Sequence, residues 1–175
     1  MDEQQLVTNC LKGDKTAQKQ FYEMFARKMM GVCLRYSNDL ATAEDYLQES
    51  FIKVFGKLSQ YQFKGSLEGW VKRIVVNVVL DELRKNRILF DSNAEVTDVL
   101  QTTDDVVSNM EAKQLLQIIQ RLPTGYRTVF NLYAIEGYQH NEIANMLQIS
   151  ESTSKSQYQK AKIQIQKTLK AQTII

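Results

Sequence analysis

Apolar residues recur every three or four positions along the amino-terminal part of the chain, which is the period of an amphipathic helix. Three helices are predicted there. The first has a buried stripe that consists of Phe21, Met24, Phe25, Met29, Val32 and Cys33. The second begins at a capping box from Thr42 to Asp45, and its buried face carries Tyr46, Leu47, Phe51, Val54 and Phe55. The third runs from about Ser66 to Arg87, and its apolar side carries Leu67, Trp70, Val71, Ile74, Val78 and Leu83.

The carboxy-terminal part predicts four helices, over residues 105–121, 124–136, 141–147 and 151–170. Pro123 suits a first helical turn, Gly137 ends the second of these helices, and Ser150 is a good cap for the last one. The short turn at Gln148 and Ile149 joins the last two helices into a helix-turn-helix. The inward residues of the last helix are predicted to be Ser154, Tyr158, Ala161, Ile165 and Leu169.

Composition supports an all-α fold and narrows the chemistry. One proline and seven glycines in 175 residues are too few for the many tight turns of a β-sandwich or barrel. Two cysteines, Cys10 and Cys33, with His140 as the single histidine, cannot supply a four-ligand zinc site and leave little for histidine-based catalysis. Composition therefore argues against a zinc site of this kind and against histidine-based catalysis.

The sequence predicts no membrane-targeting or membrane-spanning segment. Its polar start, MDEQQ, lacks the pattern of a signal peptide, and apolar stretches such as residues 74–80 are far too short to span a bilayer. We therefore expect a cytoplasmic protein without direct membrane insertion.

Charged residues are distributed unevenly along the chain, although the net charge is only +2. Residues 88–112 have no lysine or arginine, and their six acids are Asp91, Glu95, Asp98, Asp104, Asp105 and Glu111. This acidic stretch without sustained periodicity predicts a linker. The expected organisation is two small helical domains, residues 1–87 and 105–175, joined by an acidic linker, residues 88–104.

Each domain ends in a basic segment. On the last helix Ser152, Lys155, Ser156, Gln159, Lys160 and the neighbouring Lys162 face outward, and such side chains can enter the major groove of DNA. Ile163 also falls on this outward face. A solvated helix face is the alternative, but the helix-turn-helix favours DNA binding. Residues 63–87 combine aromatic and basic residues, as a surface for a separated DNA strand would. Periodicity alone favours a core position for Trp70.

Three segments in this order carry a family resemblance: AEDYLQESFIKVF, then FKGSLEGWVKRIVVNVVLDELRKNR, and, after the linker, LPTGYRTVFNLYAIEGYQHNEIANMLQISESTSKSQYQKAK. The chain resembles an extracytoplasmic-function (ECF) sigma factor of RNA polymerase, and within that family it looks like members of the Bacteroidetes branch. The resemblance spans both domains. It implies promoter recognition, strand opening and transcription initiation by a protein that is not an enzyme and that uses no cofactor or metal.

The resemblance also implies roles for individual residues. Core RNA polymerase would be bound through Asp45, Gln48, Glu49 and Lys53. The minus-ten promoter element would be bound through Lys64, Trp70, Lys72, Arg73, Asn77, Asp81, Arg84 and Lys85. The minus-thirty-five element would be bound through Thr153, Lys155, Ser156, Gln159, Lys160 and Lys162. Departures from the family pattern, among them Gln139 at a cap and Ser152 in the last helix, mean that no promoter preference can be transferred.

The same resemblance implies an anti-sigma factor, associated with the membrane, that covers the two DNA-binding faces. Two alternatives remain open at this point. One is a stand-alone helix-turn-helix regulator with a sensor or dimerisation module, which would have no use for Asp45 and Gln48. The other is an adaptor that binds only proteins, against which the basic last helix argues.

Overall fold

The computed structural model describes residues 2–85 and 110–173, and these residues form helices and their connections. The amino-terminal module contains α1 (Glu3–Leu11), α2 (Lys15–Tyr36), α3 (Leu40–Lys57), a 3-10 turn (Leu58–Gln60) and α4 (Leu67–Lys85). The carboxy-terminal module contains α5 (Met110–Gln120), α6 (Thr124–Phe130), a π-helical turn (Asn131–Ile135), α7 (His140–Leu147) and α8 (Glu151–Thr173). The predicted all-α fold is confirmed for the described residues, whereas the acidic linker and both of its predicted boundaries lie outside them.

Aspartates begin the first three helices. The carboxylates of Asp2, Asp14 and Asp39 accept hydrogen bonds from backbone N–H groups of the first turns of α1, α2 and α3. The predicted start of α3 at Thr42 was wrong, because Asp39 is the cap and Thr42 donates its N–H to Asp39 Oδ1 at 2.7 Å. The Asp39 side chain satisfies an otherwise unpaired donor and so fixes the start of the helix three residues earlier.

The amino-terminal module packs α2, α3 and α4 around an aromatic and aliphatic core. Phe21 and Phe25 meet edge to face, with ring centroids 4.9 Å apart, and the predicted buried face of α3 is confirmed from Tyr46 to Val54. Met24 was predicted to be buried but is 48% exposed, because a step of three from Phe21 carries it past the edge of the stripe that Phe21 and Phe25 define.

The carboxy-terminal module packs α5 and α6 against α8, with α7 beside α8 in the predicted helix-turn-helix. The turn between them holds Gln148 in the left-handed conformation, at φ +56°, and the Ser150 hydroxyl accepts the N–H of Thr153 at 3.0 Å. Ser154, Ala161 and Ile165 are buried as predicted, but Leu169 is 45% exposed. Leu169 lies near the end of a helix that is longer than the core beneath it.

The two modules share one hydrophobic core, since buried residues of α5, α6 and α7 belong to the same cluster as those of α2 and α4. Hydrogen bonds to the end of α2 reinforce this contact. Gln120 Nε2 donates to the carbonyl of Leu34 at 2.9 Å, and Asn131 Nδ2 donates to the carbonyl of Arg35 at 2.8 Å.

Within the described ranges no helix is both long and apolar enough to cross a membrane. Nor do the side chains of residues 2–85 and 110–173 bring together a set of histidine, cysteine and acidic groups that could hold a metal ion. Cys10 and Cys33 are free and buried, and burial raises the pKa of the Cys33 thiol to about 12.

Candidate functional site

The predicted polymerase-binding residues lie together on the outer face of α3, which we call the α3 surface: Asp45, Gln48, Glu49 and Lys53. Asp45 and Gln48 are exposed, and Glu49 and Lys53 are partly so. Lys53 Nζ lies 3.9 Å from Glu49 Oε1 and 3.8 Å from Asp81 Oδ2 of α4. The α3 surface is therefore polar, accessible and tied to α4 at one end.

Ile52 belongs to the same face and was missed by sequence reasoning. It follows Asp45 by seven and Gln48 by four residues, so the helix places all three on one side. Its side chain is 69% exposed, which makes it an apolar centre in a polar surround. The helical spacing was the available signal, because Ile52 is out of phase with the buried residues of α3.

The predicted minus-ten residues include a row along one face of α4 and residues that contact the carboxy-terminal module. Arg73, Asn77, Asp81 and Arg84 follow one another at steps of four, four and three along α4 and share one face. Arg73 and Asn77 are exposed. Asp81 forms a short ion pair with Arg84, which holds the guanidinium, and Lys85 Nζ lies 2.6 Å from Glu82 Oε1.

Lys72 and Arg84 are engaged by the carboxy-terminal module. Lys72 Nζ lies 2.5 Å from Glu136 Oε2, and Arg84 Nη1 donates to the carbonyl of Met146 at 3.0 Å. A cleft of about 190 Å³ lies beside the first of these contacts and is lined by Lys72, Arg73, Glu136 and Tyr138, among others. Two of the predicted DNA ligands are therefore occupied within the chain itself.

An aromatic group stands at the start of α4. The Tyr61 ring lies 5.0 Å from that of Phe63 and 5.5 Å from that of Trp70, and the Tyr61 hydroxyl lies 2.9 Å from the carbonyl oxygen of Gly65. Phe63 is 46% exposed and has φ +55°, an unusual conformation for an aromatic residue. Trp70 is partly buried against the core, and Lys64 beside the group is exposed.

The outer face of α8 forms a third surface. Its predicted minus-thirty-five residues Lys155, Ser156, Gln159 and Lys160 are exposed, and Thr153 and Lys162 are partly so. Lys155 Nζ lies 2.6 Å from Glu151 Oε1 on the same helix. The Lys162 ammonium lies 4.9 Å from the centre of the Tyr158 ring, while Lys160 lies 5.8 Å from that of Tyr126. The outward position of Ile163 is confirmed at 63% exposure.

His140 supports this surface from behind. Its ring stacks on Tyr133 at 4.3 Å and 12°, and its Nδ1 lies 2.9 Å from the hydroxyl of the buried Ser154. Burial and the charge of Lys155 lower the pKa of His140. These contacts fix the angle between α7 and α8, which is what a helix-turn-helix needs to present its second helix.

Two family models match the chain in the order of these modules. The sigma-70 region 2 model matches residues 21–88, which include α3 and α4, and the sigma-70 region 4 model matches residues 112–165, which include the helix-turn-helix. Together they account for well over half of the sequence.

Curated relatives match along almost the whole chain. RNA polymerase sigma-H factor of Pseudomonas aeruginosa is 28% identical, over 95% of this chain and 93% of that protein. ECF RNA polymerase sigma factor SigW of Bacillus subtilis is 27% identical, over 91% of this chain and 92% of that protein.

Solved structures show the same fold. CnrH, in complex with the cytosolic domain of CnrY, matches with a TM-score of 0.51 at 19% identity, over 95% of this chain and 96% of that chain. Sigma factor RpoE of Bartonella quintana, in complex with the anti-sigma factor NepR, matches with a TM-score of 0.53 at 20% identity, over 87% of this chain and 96% of that chain.

The chain belongs to the ECF sigma-70 family of RNA polymerase sigma factors. It directs RNA polymerase in promoter recognition and transcription initiation, and it is not an enzyme. This decides against a stand-alone regulator and against an adaptor that binds only proteins. The Bacteroidetes-like lineage stays a prediction.

Proposed function

We propose that the three surfaces divide the work of a sigma factor: the α3 surface binds core RNA polymerase, the outer face of α4 binds the minus-ten element, and the outer face of α8 binds the minus-thirty-five element. The observation that supports this most is that most of the residues predicted for each role lie on a single helix, α3, α4 or α8, and that part of each set is exposed. The proposed domains are residues 1–87 and 105–175, with residues 88–104 as the linker.

The first experiment is a reconstitution of the purified chain with bacterial core RNA polymerase, followed by transcription from a randomised promoter library. A stable complex and initiation at one pair of sequence elements support the division of labour and reveal the promoter sequence. Absence of a complex with core enzyme from a closely matched source would contradict it.

The α3 surface is tested with the double variant Asp45→Ala/Gln48→Ala and with Ile52→Ser. Asp45 and Gln48 are exposed and Ile52 is 69% exposed, so each variant should fold and bind core polymerase more weakly. Gln20→Ala, an exposed position on α2, is the matched control. Normal complex formation by both α3 variants would reject this docking surface.

The role of α4 in strand opening is tested at Trp70 and Asn77. Trp70 packs partly against the core, so Trp70→Phe and Trp70→Ala are compared for folding before DNA is added. A folded Trp70 variant that binds duplex promoter but does not melt it supports stacking on a separated strand. Asn77 is exposed, and Asn77→Ala should alter minus-ten preference without loss of stability.

The α8 surface is tested with Lys160→Ala. If Lys160 reads a base, its loss should cost about 1–3 kcal/mol and relax preference at one position; if it contacts phosphate, binding should weaken for all sequences and the salt slope should flatten. Lys167→Ala, an exposed lysine on the same helix, is the control. Equal effects of the two substitutions would mean only general charge attraction.

The linker and the partners complete the proposal. The six acids of residues 88–112 would occupy a basic channel of the polymerase by charge attraction, so replacing them by amides should change the level of abortive products. An anti-sigma partner is supported by two complexes among the similar structures. RpoE binds the anti-sigma factor NepR, and CnrH binds the cytosolic domain of CnrY. Charge reversal at Lys155 and Lys160 should weaken such a complex if the partner covers α8.

The cytoplasm is the proposed location, since polymerase and promoter are there.

A further inference from the structure

The segment between the 3-10 turn and α4, residues 61–66, is held by its own side chains, and we call it the α4 loop. At its far end the Ser66 hydroxyl oxygen accepts the backbone N–H of Gly69, at 3.2 Å. In its middle the Tyr61 hydroxyl lies 2.9 Å from the carbonyl oxygen of Gly65. A side chain from the first residue of the α4 loop therefore closes it on itself.

Two residues of the α4 loop have a left-handed backbone, Gly65 at φ +82° and Phe63 at φ +55°. Glycine adopts this region freely, whereas an aromatic residue does so at a cost. Such a conformation persists only where the surrounding contacts determine it. The Phe63 ring packs 5.0 Å from that of Tyr61 and is still 46% exposed, with the exposed Lys64 next to it. An exposed ring beside a cation can stack on a base and attract a phosphate of a separated strand.

Tyr61 also ties the α4 loop to α1. Its hydroxyl lies 3.1 Å from Glu3 Oε1, and the residue is only 6% exposed. A phenol has a single hydrogen, so the Glu3 carboxylate and the Gly65 carbonyl share it. Burial and the hydrogen bond to Glu3 raise the pKa of Tyr61, which keeps this hydrogen in place at neutral pH. One hydroxyl thus connects α1 with the loop that begins α4.

We propose that Glu3 and Tyr61 are positioning residues for strand opening, because their contact holds the α4 loop ready for the separated minus-ten strand. Phe63 and Lys64 are the groups of the loop that touch the strand. This rests on the proposed role of α4 at the minus-ten element. Glu3 precedes residues 21–88, which the sigma-70 region 2 model matches. The helix α1 therefore contributes to promoter opening without contact with DNA.

Three substitutions separate the two contacts of the Tyr61 hydroxyl. Tyr61→Phe keeps the ring and removes both contacts, whereas Glu3→Ala removes only the tie to α1. Glu3→Gln is the conservative variant. Its amide can donate a hydrogen of its own to the Tyr61 oxygen, and the phenol then gives its hydrogen to Gly65 alone.

The matched controls are Tyr36→Phe and Glu23→Ala. The Tyr36 hydroxyl is buried and has no hydrogen-bond partner among the described residues, so this variant loses a hydroxyl without breaking a contact. Glu23 is an exposed glutamate whose pair with Lys19 lies within α2, so its variant loses one negative charge elsewhere.

Acrylamide quenching of Trp70, the only tryptophan, reports on the α4 loop in the free chain. The Trp70 ring lies 5.5 Å from that of Tyr61 and is partly buried, so a loosened loop admits the quencher. We expect stronger quenching in Tyr61→Phe and in Glu3→Ala, and wild-type quenching in Glu3→Gln and in both controls. Urea unfolding of the same proteins shows which of them are fully folded under these conditions.

Affinity of the polymerase complex for two DNA probes tests the role itself. One probe is a duplex promoter, and the other has the same sequence with a mismatched, already separated minus-ten element. Tyr61→Phe should bind the separated probe about fivefold or more weakly than the wild type, and Glu3→Ala should bind it more weakly by a smaller factor. Glu3→Gln should bind it like the wild type, and no variant should change in affinity for the duplex probe or for core polymerase.

Three results would overturn the proposal. The first is equal affinity of the wild type and Tyr61→Phe for the separated probe, whatever the quenching shows. The second is an equal loss on both probes, which would indicate a merely structural role for the Tyr61 hydroxyl. The third concerns the wild type alone: if it binds both probes equally well, the proposed minus-ten role of α4 fails, and the positioning role fails with it.

Discussion

A single side chain, His140, couples the two helices of the helix-turn-helix. Its ring lies between Tyr133 and the hydroxyl of Ser154, where an added proton would have to be accommodated beside the ammonium of Lys155. Burial is the main cause of its lowered pKa and the charge of Lys155 is the second, against a raising effect of Glu151. Neutral His140 is therefore the form that the fold stabilises.

His140 is the only histidine in the chain, so its proton resonances can be followed by NMR without ambiguity. We expect the titration midpoint to lie below the ordinary histidine pKa of 6.5. Since the folded state binds the proton more weakly than the unfolded state, this contribution to stability is present above pH 6.5 and is lost as pH falls through the folded pKa.

The cause of the His140 shift is checked by substitution. Lys155→Gln should raise the midpoint, because it removes a positive charge, whereas Lys167→Gln, farther along α8, should leave it in place. A midpoint at or above the ordinary value in the wild type would contradict the buried, neutral imidazole.

Arg127 is a buried cation, and among the residues that the structure describes no carboxylate is one of its hydrogen-bond partners. It is 1% exposed, and Nη1 donates to the carbonyl of Gln120 at 3.0 Å while Nη2 lies 3.4 Å from the hydroxyl of Thr124. Burial lowers its pKa to about 10. The guanidinium thus fills space and ties α5 to α6, at the cost of its desolvation.

Two substitutions at Arg127 separate volume from charge. Arg127→Ala should lower the free energy of unfolding by about 3 kcal/mol, because it leaves a cavity and an unpaired carbonyl. Arg127→Met keeps most of the volume and removes the buried charge, so it should cost about 1 kcal/mol or less. Urea unfolding monitored by circular dichroism gives both values, and equal losses for methionine and alanine would show that the lost hydrogen bonds, rather than the lost volume, dominate.

The turn of the helix-turn-helix contains one residue with a strained backbone. Gln148 has φ +56° and ψ +42°, a left-handed conformation that glycine adopts without penalty and other residues do at some cost. Gln148 is exposed, so its side chain adds little packing in return.

Gln148→Gly should therefore raise the free energy of unfolding by about 1 kcal/mol, whereas Gln148→Ala, which keeps the strained backbone, should leave it nearly unchanged. Thermal unfolding of the three proteins checks this. A loss of stability in the glycine variant would mean that the Gln148 side chain contributes more than its backbone costs.

Hydrophobic periodicity predicted the helices because it depends only on residues close together in the sequence. Its errors occur where a capping residue or the extent of the buried core decides the outcome. The buried face of α3 and most of that of α4 follow from spacing alone, as does the outward position of Ile163. The start of α3 was misplaced because Asp39 caps better than Thr42. Met24 was misplaced because it lies past the edge of the buried stripe of α2, and Leu169 was misplaced because α8 extends beyond the core that it covers.

Contacts between the modules had no signal in the sequence. Arg35 and Glu136 are 101 residues apart, and nothing in the local pattern distinguishes Glu136 from a solvated glutamate at the end of a helix. The same holds for Lys72 and Arg84, which the family resemblance assigns to DNA and which the structure engages within the chain. The chemistry of each surface could be predicted, but its availability depends on the whole molecule.

The shared core predicts how the whole molecule unfolds. Since apolar residues of both modules belong to one cluster and Glu136 bridges them, the wild type should unfold in one cooperative transition. Trp70, the only tryptophan, reports on the amino-terminal module by fluorescence, and far-ultraviolet circular dichroism reports on both. The two urea curves should coincide.

In Glu136→Gln both curves should move together to lower urea concentrations, because the carboxylate that pairs with Arg35 and Lys72 is lost while the shared apolar core still couples the modules. Glu23→Gln should leave both curves in place, which excludes a general effect of removing one negative charge. Two separated curves, in the wild type or in Glu136→Gln, would mean that the shared core does not couple the unfolding of the modules.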